Sequence, residues 1–289
     1  MQKNEIKIGA ILSYVVIALN MIIGIVYTPF LTRMLGQSEY GLYTLVSSII
    51  SYLTILDLGF GNAITIYTSK YIARKDKEKE NQLHGMFLII YSIIGLIAGI
   101  IGIVLFFNVN RMFGTTMTQT ELETAKTLML ILTFNLVITF PFSIFSAIIT
   151  AYEKFIFAKI INIIRILLMP LIMIPLLMNG YKSVALVILT TILNVASLLI
   201  NTWYCINKIH VYFSFKKFDF KLLKEIFSYS FFIFLNTIID KINWSVDNFI
   251  LGMVSGTGAV AVYGVAAQFN NMYLSFSNAI SRSFVAQSC

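Results

Sequence analysis

Charged residues are scarce in this sequence: they make up 12% of the 289 residues, whereas 58% are hydrophobic. Soluble domains carry about 25% charged residues, so a soluble protein of this composition could not cover its core with polar groups. Apolar runs of about 20 residues, the length that crosses the hydrocarbon core of a bilayer, recur along the whole chain. The sequence therefore predicts an all-α polytopic membrane protein.

Residues and motifs that carry chemistry are also few. The two cysteines, Cys205 and Cys289, lie far apart and have neither metal-site nor disulfide spacing. His84 and His210 lie near span ends without a second histidine at ligand spacing, and we expect both to be solvated. The glycines of GFGNAI lack the third glycine and the preceding strand of a dinucleotide-binding motif. We therefore expect no catalytic residues, no metal site and no cofactor, so the protein is not predicted to be an enzyme.

The apolar runs define eight predicted transmembrane helices. The first run is too long for the hydrophobic region of a cleavable signal peptide and is predicted to be the first span. The predicted spans cover residues 8–33, 40–68, 84–108, 124–150, 158–179, 183–206, 226–253 and 259–282.

Lysine and arginine are distributed unevenly over the two ends of these spans. Of the 21 Lys and Arg residues, fifteen lie on the same side of the membrane as the N-terminus, four lie on the other side, and two lie inside spans. Because cytoplasmic loops carry the excess of Lys and Arg, the N-terminus is predicted to be cytoplasmic. The loop IARKDKEKENQ alternates in charge and is predicted to be solvated. The basic segments lie within about 20 residues of span ends, where this bias operates, so no nucleic-acid partner is expected.

Polar side chains form stripes at helical spacing inside several spans, and such residues usually face a bundle interior or a water-filled cavity. In spans four and six the stripes are Ser, Thr and Asn, for which hydrogen bonding between helices is the favoured interpretation. In spans seven and eight, two carboxylates and an arginine favour a hydrated pathway. Lys241 is predicted to pair with an acid of its own helix or with an anionic substrate. The stripes of spans seven and eight comprise Asn236, Asp240, Asn243 and Asp247, and Gln268, Asn271, Ser275, Asn278 and Arg282.

Three further charged residues lie within or at the ends of spans. Arg33 ends span one, where its side chain can reach the interface. Arg165 lies about two turns into span five, and both snorkelling and lining a cavity stay open for it. Asp57 lies in ILDLGFGNAI of span two, where Gly59 and Gly61 are predicted to allow close packing or bending. The Asp57 carboxyl is either buried and hydrogen-bonded within the bundle or lines a cavity as a coupling acid.

A weak internal repeat links the ends of spans one and seven. Gly36 is followed seven residues later by Tyr43, and Gly256 is followed seven residues later by Tyr263. Repeated bundles with a site between them are a transporter architecture. The repeat predicts a six-helix N-terminal lobe over residues 1–206, a cytoplasmic linker over 207–225, and the first two helices of an incomplete second lobe over 226–289.

The segments TPFLTRMLGQSEYGLYTL, LDLGFGNAITIYTSKYIAR and SVDNFILGMVSGTGAVAVYGVAAQF carry a family resemblance. The sequence resembles the polysaccharide exporter and oligosaccharide-lipid flippase (Wzx-like) family of the multidrug/oligosaccharidyl-lipid/polysaccharide exporter superfamily. The resemblance implies a C-terminally truncated flippase of the bacterial cytoplasmic membrane. Its substrate would be an undecaprenyl-diphosphate-linked oligosaccharide for surface polysaccharide such as O-antigen or capsule, moved by alternating access.

The resemblance also implies roles for the polar residues of the spans. The partners expected from it are the lipid-linked oligosaccharide, membrane lipids, and a polysaccharide polymerase and glycosyltransferases; coupling to H+ or Na+ is a further expectation. The candidate diphosphate contacts are Arg33, Arg165, Lys241 and Arg282, and the candidate sugar contacts are Asn236, Asn243, Gln268 and Asn271. The candidate coupling or gating acids are Asp57, Asp240 and Asp247.

Two other functions stay open. A cation-coupled multidrug exporter of the same superfamily would have an apolar, aromatic-lined cavity with few cations. A non-transporting membrane scaffold of a polysaccharide-assembly complex would be compatible with a truncated chain.

Overall fold

The computed structural model describes the backbone of residues 2–215 and 218–285, with side chains described in these ranges except at 2–4, 6–7, 240–245, 271–272 and 275–285. The described residues form helices joined by short connections, and no strand occurs among them. The helices are α1 (Gln2–Leu53), α2 (Phe60–Arg74), α3 (Lys77–Phe113), α4 (Gln119–Ala151), α5 (Phe155–Met178), α6 (Ser183–Tyr204) and α7 (Phe220–Val285).

Two of these helices are bent at a single glycine. Gly36 in α1 has φ 79° and ψ 166°, and Gly256 in α7 has φ 74° and ψ −171°. Side chains with a Cβ rarely adopt such angles, which glycine permits. Each glycine divides a helix into two antiparallel spans, so the eight-helix prediction is confirmed. By length and composition, seven helical segments of the described residues can cross a membrane, and the segment Ile8–Arg74 holds both spans flanking Gly36.

The second span is discontinuous, which corrects the prediction of one helix over 40–68. A short 3-10 turn covers Thr54–Asp57, Leu58 and Gly59 are left-handed (φ 53° and 74°), and α2 begins at Phe60. A Cβ at Gly59 would lie 2.8 Å from Cγ2 of Ile233 in α7. Gly59 therefore provides both the bending and the close packing that the sequence predicts.

Large apolar side chains from α1 to α4 form the main core. Phe87, Tyr91 and Phe113 of α3 are at most 1% exposed and pack against apolar residues of α1, α2 and α4. A second apolar cluster joins α1 to α5 and α6 through residues such as Leu31 and Met173. Many apolar side chains on the outer faces, such as Phe107, are exposed, as expected where lipid replaces water.

The connection between α2 and α3 is shorter than the predicted loop, although most of the charged residues around it are exposed, as predicted. The loop between α2 and α3 is reduced to Lys75 and Asp76, and the Asp76 carboxylate caps α3 by accepting a 3.1 Å hydrogen bond from the Lys79 amide. His84 is fully buried, so its predicted solvation is wrong; its Nε2 lies 3.1 Å from Thr68 Oγ1. The helical phase of α3 directs the His84 side chain toward the core, although this residue lies near the end of a span.

We call the end of the bundle that carries Gly36 and Gly256 the corner face, and the opposite end, with the connection between α6 and α7, the linker face. Part of that connection covers the start of α3: the Ser214 amide donates to the Asn81 carbonyl at 2.9 Å, and the Phe213 ring contacts the rings of His84 and Phe145. The division into lobes at residues 206 and 226 stays a prediction.

Candidate functional site

A cavity of about 580 Å³ lies inside the six-helix part of the chain. It is bounded by both halves of α1 and by α4, α5 and α6, so every wall comes from the predicted first lobe. Its polar lining residues are Asn20, Tyr27, Tyr43, Ser47, Ser51, Thr54, Asn135, Thr139, Arg165, Thr190 and Asn194. The other lining residues are Leu, Ile, Met and Pro.

A hydrogen-bonded cluster crosses this cavity from α6 to α4 and α5. Asn194 Nδ2 donates to Asn135 Oδ1 and to Thr139 Oγ1, both at 2.8 Å. Arg165 Nη1 donates to Asn194 Oδ1 over a longer 3.4 Å. The polar stripes of spans four and six thus meet through hydrogen bonds between helices, in agreement with the favoured interpretation, and the same side chains also line the cavity.

Arg165 brings a positive charge to the middle of α5. Among the described residues, no carboxylate forms an ion pair with its guanidinium. Pro170, one turn and a half further along, lines the same cavity and lacks the N–H that would bond the Ile166 carbonyl. A guanidinium without an ion-pair partner can attract an anion that enters the cavity. Of the two roles left open for Arg165, the structure supports lining a cavity.

The Tyr27 hydroxyl is a second group of the cavity wall without a partner. It is a buried atom that makes no hydrogen bond with the described residues. Buried polar atoms are nearly always hydrogen-bonded. Arg165 thus presents unused donors toward the cavity, which suits a ligand rich in oxygen acceptors, whereas the unpartnered Tyr27 hydroxyl is buried within the wall.

Asp57 lies at the break in span two and outside the lining of this cavity. Its Oδ1 accepts a 2.7 Å hydrogen bond from the Tyr91 hydroxyl, and the amides of Gly59 and Gly61 face the same carboxylate. The carboxylate therefore stabilises the N-terminal end of α2, where unpaired amides collect. The structure supports the first of the two alternatives for Asp57, an acid hydrogen-bonded within the bundle.

The other candidate residues of the described part lie away from the cavity. Arg33 is exposed three residues before the Gly36 corner. Asp247 accepts a hydrogen bond from the Tyr263 hydroxyl, the tyrosine of the repeat. Asn236 is exposed and Gln268 half-buried, and neither lines the cavity. The side chains of Asp240, Lys241, Asn243, Asn271 and Arg282 lie outside the described residues.

Sequence reasoning missed several residues that the structure brings together. Ser47, Ser51 and Thr54 recur at helical spacing, and this stripe indicates a polar face of span two. Glu121 ends a Thr-x-x-Glu pattern that predicts a helix start, and the structure has the corresponding capping box with Thr118. No sequence signal indicates that Glu121 also contacts other helices.

A bundle of membrane-crossing helices around a polar cavity lined by Arg165 defines the class as a polytopic membrane protein. A family model described as "Polysaccharide biosynthesis protein" matches residues 6–285. The chain belongs to this polysaccharide biosynthesis protein family, which confirms the resemblance found in the sequence.

The fold is shared with solved transporters. The MATE multidrug transporter DinF-BH is 18% identical, with a TM-score of 0.69 over 93% of this chain and 60% of its own. A MOP superfamily transporter from Pyrococcus furiosus, whose binding pocket of reverse polarity suggests a different function, is 16% identical, with a TM-score of 0.66 over 94% of this chain and 59% of its own. The chain thus spans about three fifths of these transporters. No curated protein matches it.

Proposed function

We propose that the chain forms part of a flippase that moves a lipid-linked oligosaccharide across the bacterial cytoplasmic membrane for surface polysaccharide synthesis. The observation that carries this proposal is the Arg165 guanidinium, which lines a polar cavity and forms no ion pair with the described residues, in a chain of the polysaccharide biosynthesis family. The substrate class is an undecaprenyl-diphosphate-linked oligosaccharide.

The physical problem for such a flippase is the passage of a charged diphosphate and a polar glycan through hydrocarbon. A charge at the centre of a bilayer costs several kcal/mol or more. A cavity with a cation and amide donors lowers this cost, while the isoprenoid chain stays in lipid. In our proposal Arg165 contacts a phosphate oxygen, and Asn194 and Thr139 contact hydroxyl groups. The described cavity would then be exposed to each side of the membrane in turn.

The other candidate residues have proposed roles outside this cavity. Asp247 is proposed to act in gating, with H+ or Na+ as the coupling ion, whereas Asp57 is proposed to hold the break in span two. Polysaccharide polymerase and glycosyltransferases are the proposed protein partners. The N-terminus and the linker face are proposed to be cytoplasmic.

A second candidate function is cation-coupled multidrug export. The apolar part of the cavity wall, with Tyr27, Tyr43 and Met169 among its residues, favours this function, because aromatic and apolar walls suit drug-sized ligands. The positive charge of Arg165 at the cavity wall disfavours it for cationic drugs, since like charges repel.

Complementation of a flippase-deficient strain tests the proposal. The full-length protein would carry Arg165→Ala or Arg165→Lys, with Arg111→Ala as the matched control because Arg111 lies exposed at the end of α3, outside the cavity. We expect Arg165→Ala to abolish surface glycan and to cause accumulation of the lipid-linked precursor, and Arg111→Ala to leave both unchanged. Loss of drug resistance with normal surface glycan would instead support the exporter.

A further inference from the structure

Glu121, near the start of α4, has hydrogen-bond donors on both carboxylate oxygens. Ser38 Oγ and Thr257 Oγ1 donate to Oε1 at 2.6 and 2.8 Å. Thr118 donates to Oε2 through its amide and its hydroxyl, at 2.8 and 2.9 Å. A carboxylate accepts about four hydrogen bonds, so the acceptor capacity of Glu121 is fully used.

The donors on Oε1 come from the two glycine corners of the repeat. Ser38 lies two residues after Gly36, and Thr257 lies directly after Gly256. One oxygen atom of α4 therefore connects the corner of α1 with the corner of α7. This connection is invisible in the sequence, since Ser38 and Thr257 are 83 and 136 residues away from Glu121.

Other polar contacts surround this connection at the corner face. Gln37 Nε2 donates to the Gly258 carbonyl at 3.1 Å, and Thr116 Oγ1 donates to the Gly252 carbonyl at 2.9 Å. The helices also approach closely here: a Cβ at Gly264 would lie 2.9 Å from Cγ2 of Thr44. The contact between the corners thus includes hydrogen bonds that water can replace when the corners separate.

We propose that Glu121, Ser38 and Thr257 form a corner latch, which holds the two repeats together at the corner face in this conformation and releases them when the transporter opens there. Hydrogen bonds to a charged acceptor are strong enough to bias an equilibrium between two states and still exchangeable with water. Such a contact suits an interface that separates in one state and closes in the other. The latch follows from the fold and is independent of the substrate proposed above.

Thiol accessibility at Ala261 measures this opening in the full-length protein in membranes. Ala261 is buried against Leu31, Leu35 and Tyr40 of α1, so a cysteine there reacts with a water-soluble maleimide only when the corners separate. The protein used for labelling carries Cys289→Ser, so that this native thiol cannot react. The other native cysteine, Cys205, is buried. In Ala261→Cys protein we expect Thr257→Val and Glu121→Gln each to raise the labelling rate about tenfold, as expected for the loss of one hydrogen bond to a charged group.

Glu123→Gln is the matched control. Glu123 is exposed on the same helix, where it accepts from Gln119 at 3.1 Å without contacting a corner. We expect it to leave the labelling rate unchanged. Thr257→Val separates the latch from the helix cap, because it removes the contact with α7 and keeps the Thr118 bonds. If Glu121→Gln raised the labelling rate and Thr257→Val did not, Glu121 would act only as the cap of α4, and the latch would be overturned. Equal rates in all variants would overturn it as well.

Discussion

Gly36 and Gly256 have nearly the same backbone conformation, φ 79° and ψ 166° against φ 74° and ψ −171°, although they lie 220 positions apart (256 − 36). Each bends a long helix at the corner face, and the residues that follow them meet at Glu121. The two glycines are thus equivalent positions of an internal repeat whose corners contact each other directly.

Alanine at either corner is expected to destabilise the protein. The backbone at Gly36 and Gly256 lies in a region that only glycine occupies readily, so Gly36→Ala and Gly256→Ala are each expected to cost about 1–3 kcal/mol. Thermal unfolding in detergent would show a lower midpoint. Gly61→Ala is the control: Gly61 is helical, and its new Cβ would lie 3.8 Å from the Tyr91 hydroxyl, so the midpoint should not fall. An unchanged midpoint in both corner variants would contradict the prediction.

The hydrogen bond between Tyr91 and Asp57 is expected to stabilise the break in span two. Tyr91→Phe removes the side-chain donor of a half-buried carboxylate, which we expect to lower the free energy of unfolding by about 1–3 kcal/mol. A double-mutant cycle with Asp57→Asn measures the coupling. Ser92→Ala is the control, because among the described residues the Ser92 hydroxyl donates only to the Leu88 carbonyl of its own helix. Additive effects of Tyr91→Phe and Asp57→Asn would show that the pair is not coupled.

A carboxylate next to Arg165 is expected to abolish anion binding in the cavity. Asn194→Asp keeps the size of the side chain and places a negative charge beside the guanidinium, which is 3.4 Å from Asn194 Oδ1. Because charged hydrogen bonds contribute about 1.5–3 kcal/mol, glycan export by the full-length protein should fall tenfold or more. Asn110→Asp, on an exposed residue of α3, is the control. Normal export with Asn194→Asp would exclude contact between Arg165 and an anionic group of the substrate.

The two ends of the bundle are expected to face opposite sides of the membrane. A cysteine replacing Lys182 at the corner face should react with an impermeant maleimide added to intact cells, because the excess of Lys and Arg predicts a cytoplasmic N-terminus. A cysteine replacing Lys208 at the linker face should react only after permeabilisation. Both lysines are exposed, so neither substitution disturbs the core. The reverse pattern of labelling would invert the predicted topology.

Much of the fold could be predicted from local patterns. Apolar runs of bilayer length predicted the helices, and the spacing of Gly36 to Tyr43 and of Gly256 to Tyr263 predicted the repeat. The sequence predicted close packing or bending at Gly59, but it did not predict that the helix breaks at Leu58 and Gly59. A glycine in a helical pattern indicates close packing as readily as a left-handed turn. The burial of His84 was missed because nearness to a span end outweighed helical phase.

The candidate site was predictable only in part. Helical phase grouped the polar residues of spans four and six, but it could not decide whether Arg165 reached the interface or the bundle interior. The structure decides this through Asn194, which joins α6 to α4 and lies within hydrogen-bond distance of the guanidinium. Glu121 was outside every sequence pattern except that of a helix cap.

The sequence by itself determined that this chain is a helical membrane protein with an internal repeat, because span length, hydropathy and glycine spacing are local properties of the chain. Only the tertiary structure decided which polar face meets which other face: Arg165 with Asn194, Asp57 with Tyr91, and Glu121 with both corners. The reason is physical. Helical phase specifies the direction of a side chain about its own axis, whereas its partner depends on the tilt and register with which separate helices pack.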